Sequence, residues 1–152
     1  MELINRVVEG FTGRLRLGMH VCRGNWSKRE DVLITGDYQP LVPAFQRMNL
    51  DQFVLEYATP RAGELAVAGR ALGHREIGLG CVNPRTDEAE SPESIVDRVR
   101  EALQFWPAER IFLNPDCGFA CFANRGVNVE QVATEKLKSM TAAARILRER
   151  HR

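Results

Sequence analysis

Residues 76–115 read EIGLGCVNPRTDEAESPESIVDRVREALQFWPAERIFLNP, and this stretch decides the fold. Glu76 to Val82 is a short apolar run stopped by Asn83-Pro84, the pattern of a buried strand. Ser91 then stands as an N-cap ahead of Pro92 at the first helical position, with Glu93 in the first turn. Ile95, Val96, Val99, Ala102 and Leu103 follow at helical spacing. Ile111-Phe112-Leu113 is a second apolar run, stopped by Asn114-Pro115. Strand, helix and strand of this kind make a βαβ unit, whose strands run parallel.

The same alternation extends to both sides. Leu15 to Cys22 reads as a strand opening into Arg23-Gly24-Asn25, and Phe53 to Tyr57 as another, preceded by a helix over Leu41 to Met48 that Pro40 or Pro43 starts. Glu64 to Leu72 forms a short helix. On the C-terminal side a helix starts near Asn128, with Gln131 placed for a capping box, and runs towards Arg150, where the cationic RERHR suits a helix C-terminus. Strands alternating with helices define an α/β protein and exclude a β-sandwich or a simple bundle. Four βα units are half of a (β/α)8 barrel, a fold of ~250 residues. The expectation is a single domain over residues 1–152 with half-barrel architecture.

Composition narrows the function class. Lys and Arg number 21 against 20 Asp and Glu, a net charge of +1, so no bulk field draws the chain to nucleic acid or an anionic membrane. No stretch approaches the ~20 apolar residues of a membrane span, and MELINRVVEG has no run of signal-peptide type. A cytoplasmic protein is expected. Cysteines at 22, 81, 117 and 121 are too sparse for a disulfide scaffold and read as thiols or metal ligands.

Reactive residue types gather where barrels keep their sites, at or just past the C-terminal ends of strands: His20 and Cys22, then Glu56, then Asn83 and Arg85, then Asp116 and Cys117. His20 and Cys22, two apart on a strand, face the same side and can reach one ion; the plainer alternative is a packed thiol beside a hydrogen-bonded imidazole. Cys117 sits in a loop stiffened by Pro115 and Gly118, with Cys121 as a rival ligand. Glu56 is an acid in an apolar strand and needs a partner, either a metal or an arginine such as Arg61. Asp116 either orients a ligand or caps its loop. Single ligands drawn from separate strand ends, one of them a carboxylate, differ from the C-x-x-C pairs of closed structural zinc sites and suit an exchangeable position. Cys81 reads as a core residue, Asn25 and Trp26 as lining the mouth, and His74 and His151 as solvated.

Taken in order, Met19-His20-Val21-Cys22-Arg23-Gly24-Asn25, Val54-Leu55-Glu56, Glu76-Ile77-Gly78-Leu79-Gly80 and Leu113-Asn114-Pro115-Asp116-Cys117-Gly118-Phe119 resemble the C-terminal catalytic domain of cobalamin-independent methionine synthase. The resemblance spans nearly the whole chain and is closest to the short, core-type members. It implies a (β/α)8 barrel that holds zinc through His20, Cys22, Glu56 and Cys117, with Glu56 and Asp116 in catalytic roles. It also implies a small thiol substrate, homocysteine, that binds the metal and is methylated to methionine by a folate or a corrinoid protein. Ionising a thiol of pKa ~8.5 fully at neutral pH gains roughly thirtyfold in nucleophile, ~2 kcal/mol.

Two features depart from the family. After the third strand the long enzymes place an Asp and a His, where this sequence has Asn83 and Arg85. The first four βα units have no counterpart, and Met1 to Val8 resembles the helix before the fifth strand, so the chain reads as the C-terminal half of the barrel. Such a half is expected to be inactive alone and to associate, as a homo-oligomer or with an N-terminal half, with Val54, Leu55, Ile77 and Leu79 among the candidate strand contacts. Two other readings stand beside this one: a related zinc-thiol alkyltransferase of the coenzyme M type, and a non-catalytic zinc-binding half-barrel fragment.

Overall fold

The computed structural model describes residues 1–151, and the side chains of all of these except Glu30 and Cys121. Strand β3 (Glu76–Val82) is the most buried element, and the glycines of its apolar run have a specific use. A Cβ on Gly78 would meet Asn114 Oδ1 at 2.8 Å, and one on Gly80 would meet Asp116 Oδ1 at 2.3 Å and the Leu55 carbonyl at 2.6 Å. Glycine at these positions leaves room for the side chains of Asn114 and Asp116.

Around β3 the chain builds one parallel sheet in the order β1-β2-β3-β4, with β1 at Gly18–Val21, β2 at Gln52–Leu55 and β4 at Ile111–Pro115. Helix α1 (Glu2–Val7) precedes the sheet, and α2 (Val42–Gln46), α3 (Leu65–Leu72), α4 (Pro92–Ala102) and α5 (Glu130–Arg150) follow the strands in turn. This is an α/β half barrel of four βα units, as the βαβ reading requires. In register, Phe53 lies beside Ile77 and Ile77 beside Ile111, and Leu55 beside Leu79 and Leu79 beside Leu113. These rows face the helices and pack on Leu65, Ala68, Leu72, Val99 and Ala102. Trp106, 2% exposed, closes the core and donates from its indole to the Leu72 carbonyl at 3.2 Å. The alternate row, His20, Val54, Gly78 and Phe112, turns to the opposite face.

Several boundaries differ from the sequence reading, each for a visible reason. Strand β1 starts at Gly18 rather than Leu15, because Leu15 closes a turn onto the Phe11 carbonyl and is 57% exposed. Strand β2 stops at Leu55, since the amides of Tyr57 and Ala58 turn to Asp116 Oδ1, each at 2.9 Å, instead of to a strand. Ser91 caps α4 as expected, its Oγ accepting from the Ser94 amide at 3.1 Å. The capping box of Asn128 and Gln131 does not form: Val129 is the N-cap of α5, and Asn128 instead donates to the Thr86 carbonyl at 2.9 Å. An antiparallel hairpin, β5 (Ala120–Phe122) and β6 (Arg125–Gly126), lies between β4 and α5. Leu55, Ile77 and Leu79 are buried beneath helices, so they are not available to a partner as the sequence had implied. Among the described residues no helix is long and apolar enough to cross a membrane.

Candidate metal centre

Strand β1 presents His20, Cys22 follows its end, and the loop after β4 brings back Cys117. One ligand atom from each lies within 4.8 Å of the other two, and His20 Nε2 is 3.3 Å from Cys117 Sγ. A tetrahedral zinc with sulfur at ~2.3 Å and nitrogen at ~2.0 Å separates such atoms by roughly 3.6 Å. The nitrogen and two sulfurs therefore need only small adjustments to hold a borderline-soft ion, and the donor set fits zinc. His20 and Cys22 are exposed while Cys117 is half-buried, which leaves one side of the group open. Burial pushes the Cys117 thiol up to about 12, with the adjacent Cys22 adding to the rise and a hydrogen bond with Asn25 opposing it. A Cys117 thiol so placed stays protonated at neutral pH unless a cation lies beside it.

Glu56, just beyond β2, lies outside this converging group. It is 1% exposed, and all four of its lone-pair positions are used. Oε2 accepts from the Arg23 amide at 3.0 Å and from Arg23 Nη1 at 3.2 Å; Oε1 accepts from Arg61 Nη2 at 3.0 Å and from Asn25 Nδ2 at 3.5 Å. The arginine that the sequence offered as the alternative partner is thus in place, joined by a second whose guanidinium lies 4.1 Å over the Tyr38 ring.

Asp116 is fully buried, and it touches the backbone at the end of β2 through Oδ1 while Oδ2 has no protein partner. Burial raises its carboxyl to about 6, against the lowering effect of the Ala58 and Tyr57 amides. Its hydrogen bonds hold the end of β2 against the residue that precedes Cys117.

Asn25 does not line the mouth as its sequence position implied; at 1% exposure it is an inner wall between Arg85 and Glu56. Trp26, 45% exposed, lines a cavity of about 270 Å³ with Lys28, Phe122 and Arg125, whose lining includes none of His20, Cys22, Glu56 and Cys117. Gly24, at φ +91°, underlies the Trp26 ring, where a Cβ would sit 1.7 Å from it. Asn83 and Arg85 are buried behind Asn25. Cys81 is a core thiol, raised to about 12 by burial, and His74 and His151 are exposed. Cys121, the rival ligand, has a side chain outside the described residues. The sequence reading missed Lys136, which is fully buried on α5. Its signal was available: Lys136, Met140, Ala143 and Leu147 form one helical stripe in which the lysine is the odd member.

Parallel βα units with three ligand-type side chains gathered at the strand ends define the class. Within that class, the chain belongs to the family described as the cobalamin-independent synthase catalytic domain, whose model matches residues 19–146. The chain is 30% identical over 148 residues to a methionine synthase of Thermococcus kodakarensis, covering 97% of this chain and 38% of that one. Against the methionine synthase of Saccharolobus solfataricus the identity is 26% over 149 residues, covering 98% of this chain and 39% of the relative. Its fold matches the solved structure of a B12-independent methionine synthase from Shewanella sp. W3-18-1, in complex with selenomethionine, with a TM-score of 0.81 at 22% identity. That match covers 98% of this chain and 42% of the other. The chain therefore spans well under half the length of these relatives.

Proposed function

We propose that this chain is the zinc-holding, thiol-binding half of a methyltransferase barrel that converts homocysteine to methionine in the cytoplasm. The observation that carries this reading is the convergence of His20, Cys22 and Cys117 within 4.8 Å at one end of a parallel sheet. These three residues would hold zinc, with Glu56 as the exchangeable fourth ligand and the 3.5 Å bond from Asn25 as the first of its contacts to yield. When bound, zinc supplies a Lewis acid that keeps a thiol deprotonated at neutral pH.

The chain's own residues do the rest. Arg23 and Arg61 balance the buried charge of Glu56, Asp116 fixes the end of β2 beside Cys117, and the exposed edges of His20 and Cys22 leave an approach for the thiol. In the transfer a sulfur–methyl bond forms as the donor's bond to methyl breaks. The thiol proton passes to solvent; the nitrogen of a folate donor takes up a proton as it loses methyl, whereas a corrinoid donor keeps the bonding electron pair on its cobalt. Thiol ionisation is worth ~2 kcal/mol, whereas orienting donor and acceptor is worth up to ~7–11 kcal/mol. Orientation requires groups facing the sheet end from the other side of a barrel, so the chain on its own is expected not to turn over.

Cobalt(II) loaded in place of zinc gives a spectroscopic test. Homocysteine should perturb the absorption saturably, and 2-mercaptoethanesulfonate should do so far more weakly. A response to the sulfonate alone would favour an alkyltransferase of the coenzyme M type, and a response to neither would favour a metal-binding module without catalysis. Failure of the chain to bind any metal would overturn the reading.

A further inference from the structure

We propose that Lys136, on α5 and distant in sequence from every candidate ligand, is a positioning residue for the metal-binding end of the sheet. This rests on reading His20, Cys22 and Cys117 as a metal centre and concerns what keeps that centre in shape.

An ammonium with 0% exposure is tolerated only if its protons are used. Lys136 Nζ donates to Thr86 Oγ1 at 3.0 Å, to Glu90 Oε2 at 3.2 Å and to the Glu88 carbonyl. All three acceptors belong to the loop between β3 and α4. Ser139, on the same helix, adds a hydroxyl bond to the Glu90 carbonyl, and Asn128 holds the Thr86 carbonyl. Helix α5 and the residue before its N-cap thus hold the loop from one side through polar groups.

From the loop a continuous line of contacts runs to the site. Glu90 Oε1 accepts from the Asn83 amide at 2.7 Å, and Asn83 Oδ1 accepts from the Arg85 amide at 3.0 Å. Arg85 Nη1 donates to Asn25 Oδ1, and Asn25 in turn contacts both Glu56 and the Cys117 thiol. Lys136, Asn83, Arg85, Asn25 and Glu56 are each 9% exposed or less, and the Glu90 side chain, 21% exposed, is the link of the line that water reaches most. Were Lys136 only a filler between α4 and α5, an apolar side chain of similar length would serve, as Met140 does one turn on. The ammonium is there because the loop needs a fixed charge partner at Glu90. Without it the loop slackens, Arg85 leaves Asn25, Asn25 no longer holds Glu56, and the half-buried Cys117 becomes more accessible. Partners that orient metal ligands from behind are typically worth about 10- to 100-fold in metal affinity.

The test compares Lys136→Met with Val99→Ala, a core truncation on α4 that lowers stability without touching the polar line. Zinc affinity is measured by competition with a chromophoric chelator and geometry by the cobalt(II) spectrum. In metal-free protein, alkylation of Cys117 relative to Cys22 by iodoacetamide is followed by peptide mass spectrometry. Lys136→Met should weaken zinc at least about tenfold, change the cobalt spectrum and speed Cys117 alkylation several-fold, while Val99→Ala changes none of these. Unchanged affinity, spectrum and alkylation in Lys136→Met would overturn the proposal. If that variant does not fold, Glu90→Gln is measured in its place with the same criteria. If the wild-type chain binds no metal, the metal-centre reading fails by itself and the alkylation ratio still decides the role of Lys136.

Discussion

His20, Cys22 and Cys117 differ from Glu56 in what surrounds them, and that difference fixes how substitutions should behave. The nitrogen and sulfurs converge with few competing partners, whereas the Glu56 oxygens are shared among Arg23, Asn25 and Arg61. Replacing His20, Cys22 or Cys117 with alanine should abolish stoichiometric zinc, measured by elemental analysis after gel filtration. Glu56→Gln should keep most of the zinc and lose thermal stability instead, because two buried guanidinium groups then face a neutral amide. Removing one partner of a buried pair costs about 3–5 kcal/mol. Zinc retained in Cys117→Ala and lost in Cys121→Ala would show that the ligand choice is wrong.

At the scale of elements, β3 and its two neighbours depend on glycine at position 80. Any Cβ there meets Asp116 Oδ1, the Leu55 carbonyl and the Tyr57 amide together, all closer than 3.0 Å. Gly80→Ala should therefore cost about 1–3 kcal/mol by denaturant unfolding and should also weaken zinc, because Asp116 precedes Cys117. Ser91→Ala is the contrast: loss of the α4 cap costs about 1 kcal/mol and should leave zinc affinity alone.

The same elements show what was legible in the sequence. Strand β3, helix α4 and the glycine-bracketed Cys117 loop could be read because local chemistry decides them: an apolar run, a Ser-Pro start, a Pro-Asp-Cys-Gly turn. The end of β2, the failed capping box and the burial of Asn25 could not, since each is set by a partner distant in the chain: Asp116, Thr86 and Arg85. The β5–β6 hairpin turns on Ala123-Asn124, which lacks the Asn-Gly signal of a tight hairpin turn. The pairing of Glu56 with Arg61 was foreseen as one of two outcomes, and the choice between them needed the geometry of Arg23 as well.

For the molecule as a whole, the decisive feature is a sheet that is covered on one face and open on the other. Strands β1 and β4 are its edges, each paired on one side only among the described residues, and unpaired edges are templates for association. The helix-facing residues of β2 and β3 are already packed, so a partner would meet the opposite face, where Val54 and Phe112 are half-buried and His20 is exposed, and the β4 edge. A groove of about 930 Å³ beside β4, lined by Leu103, Ile111, Leu113, Met140 and Leu147, extends apolar surface to the edge itself. We expect association through this face and these edges, with a second copy or with a chain carrying the complementary βα units. Light scattering over a dilution series should give a mass above 17.2 kDa that falls towards the monomer only at low concentration. Methyl transfer to homocysteine should be absent for the chain alone and appear on adding the complementary units, because these would supply the far wall of the site. A monomer that unfolds cooperatively at micromolar concentration would show that the open face is stable in water, and turnover by that monomer would show that four βα units are enough to orient both substrates.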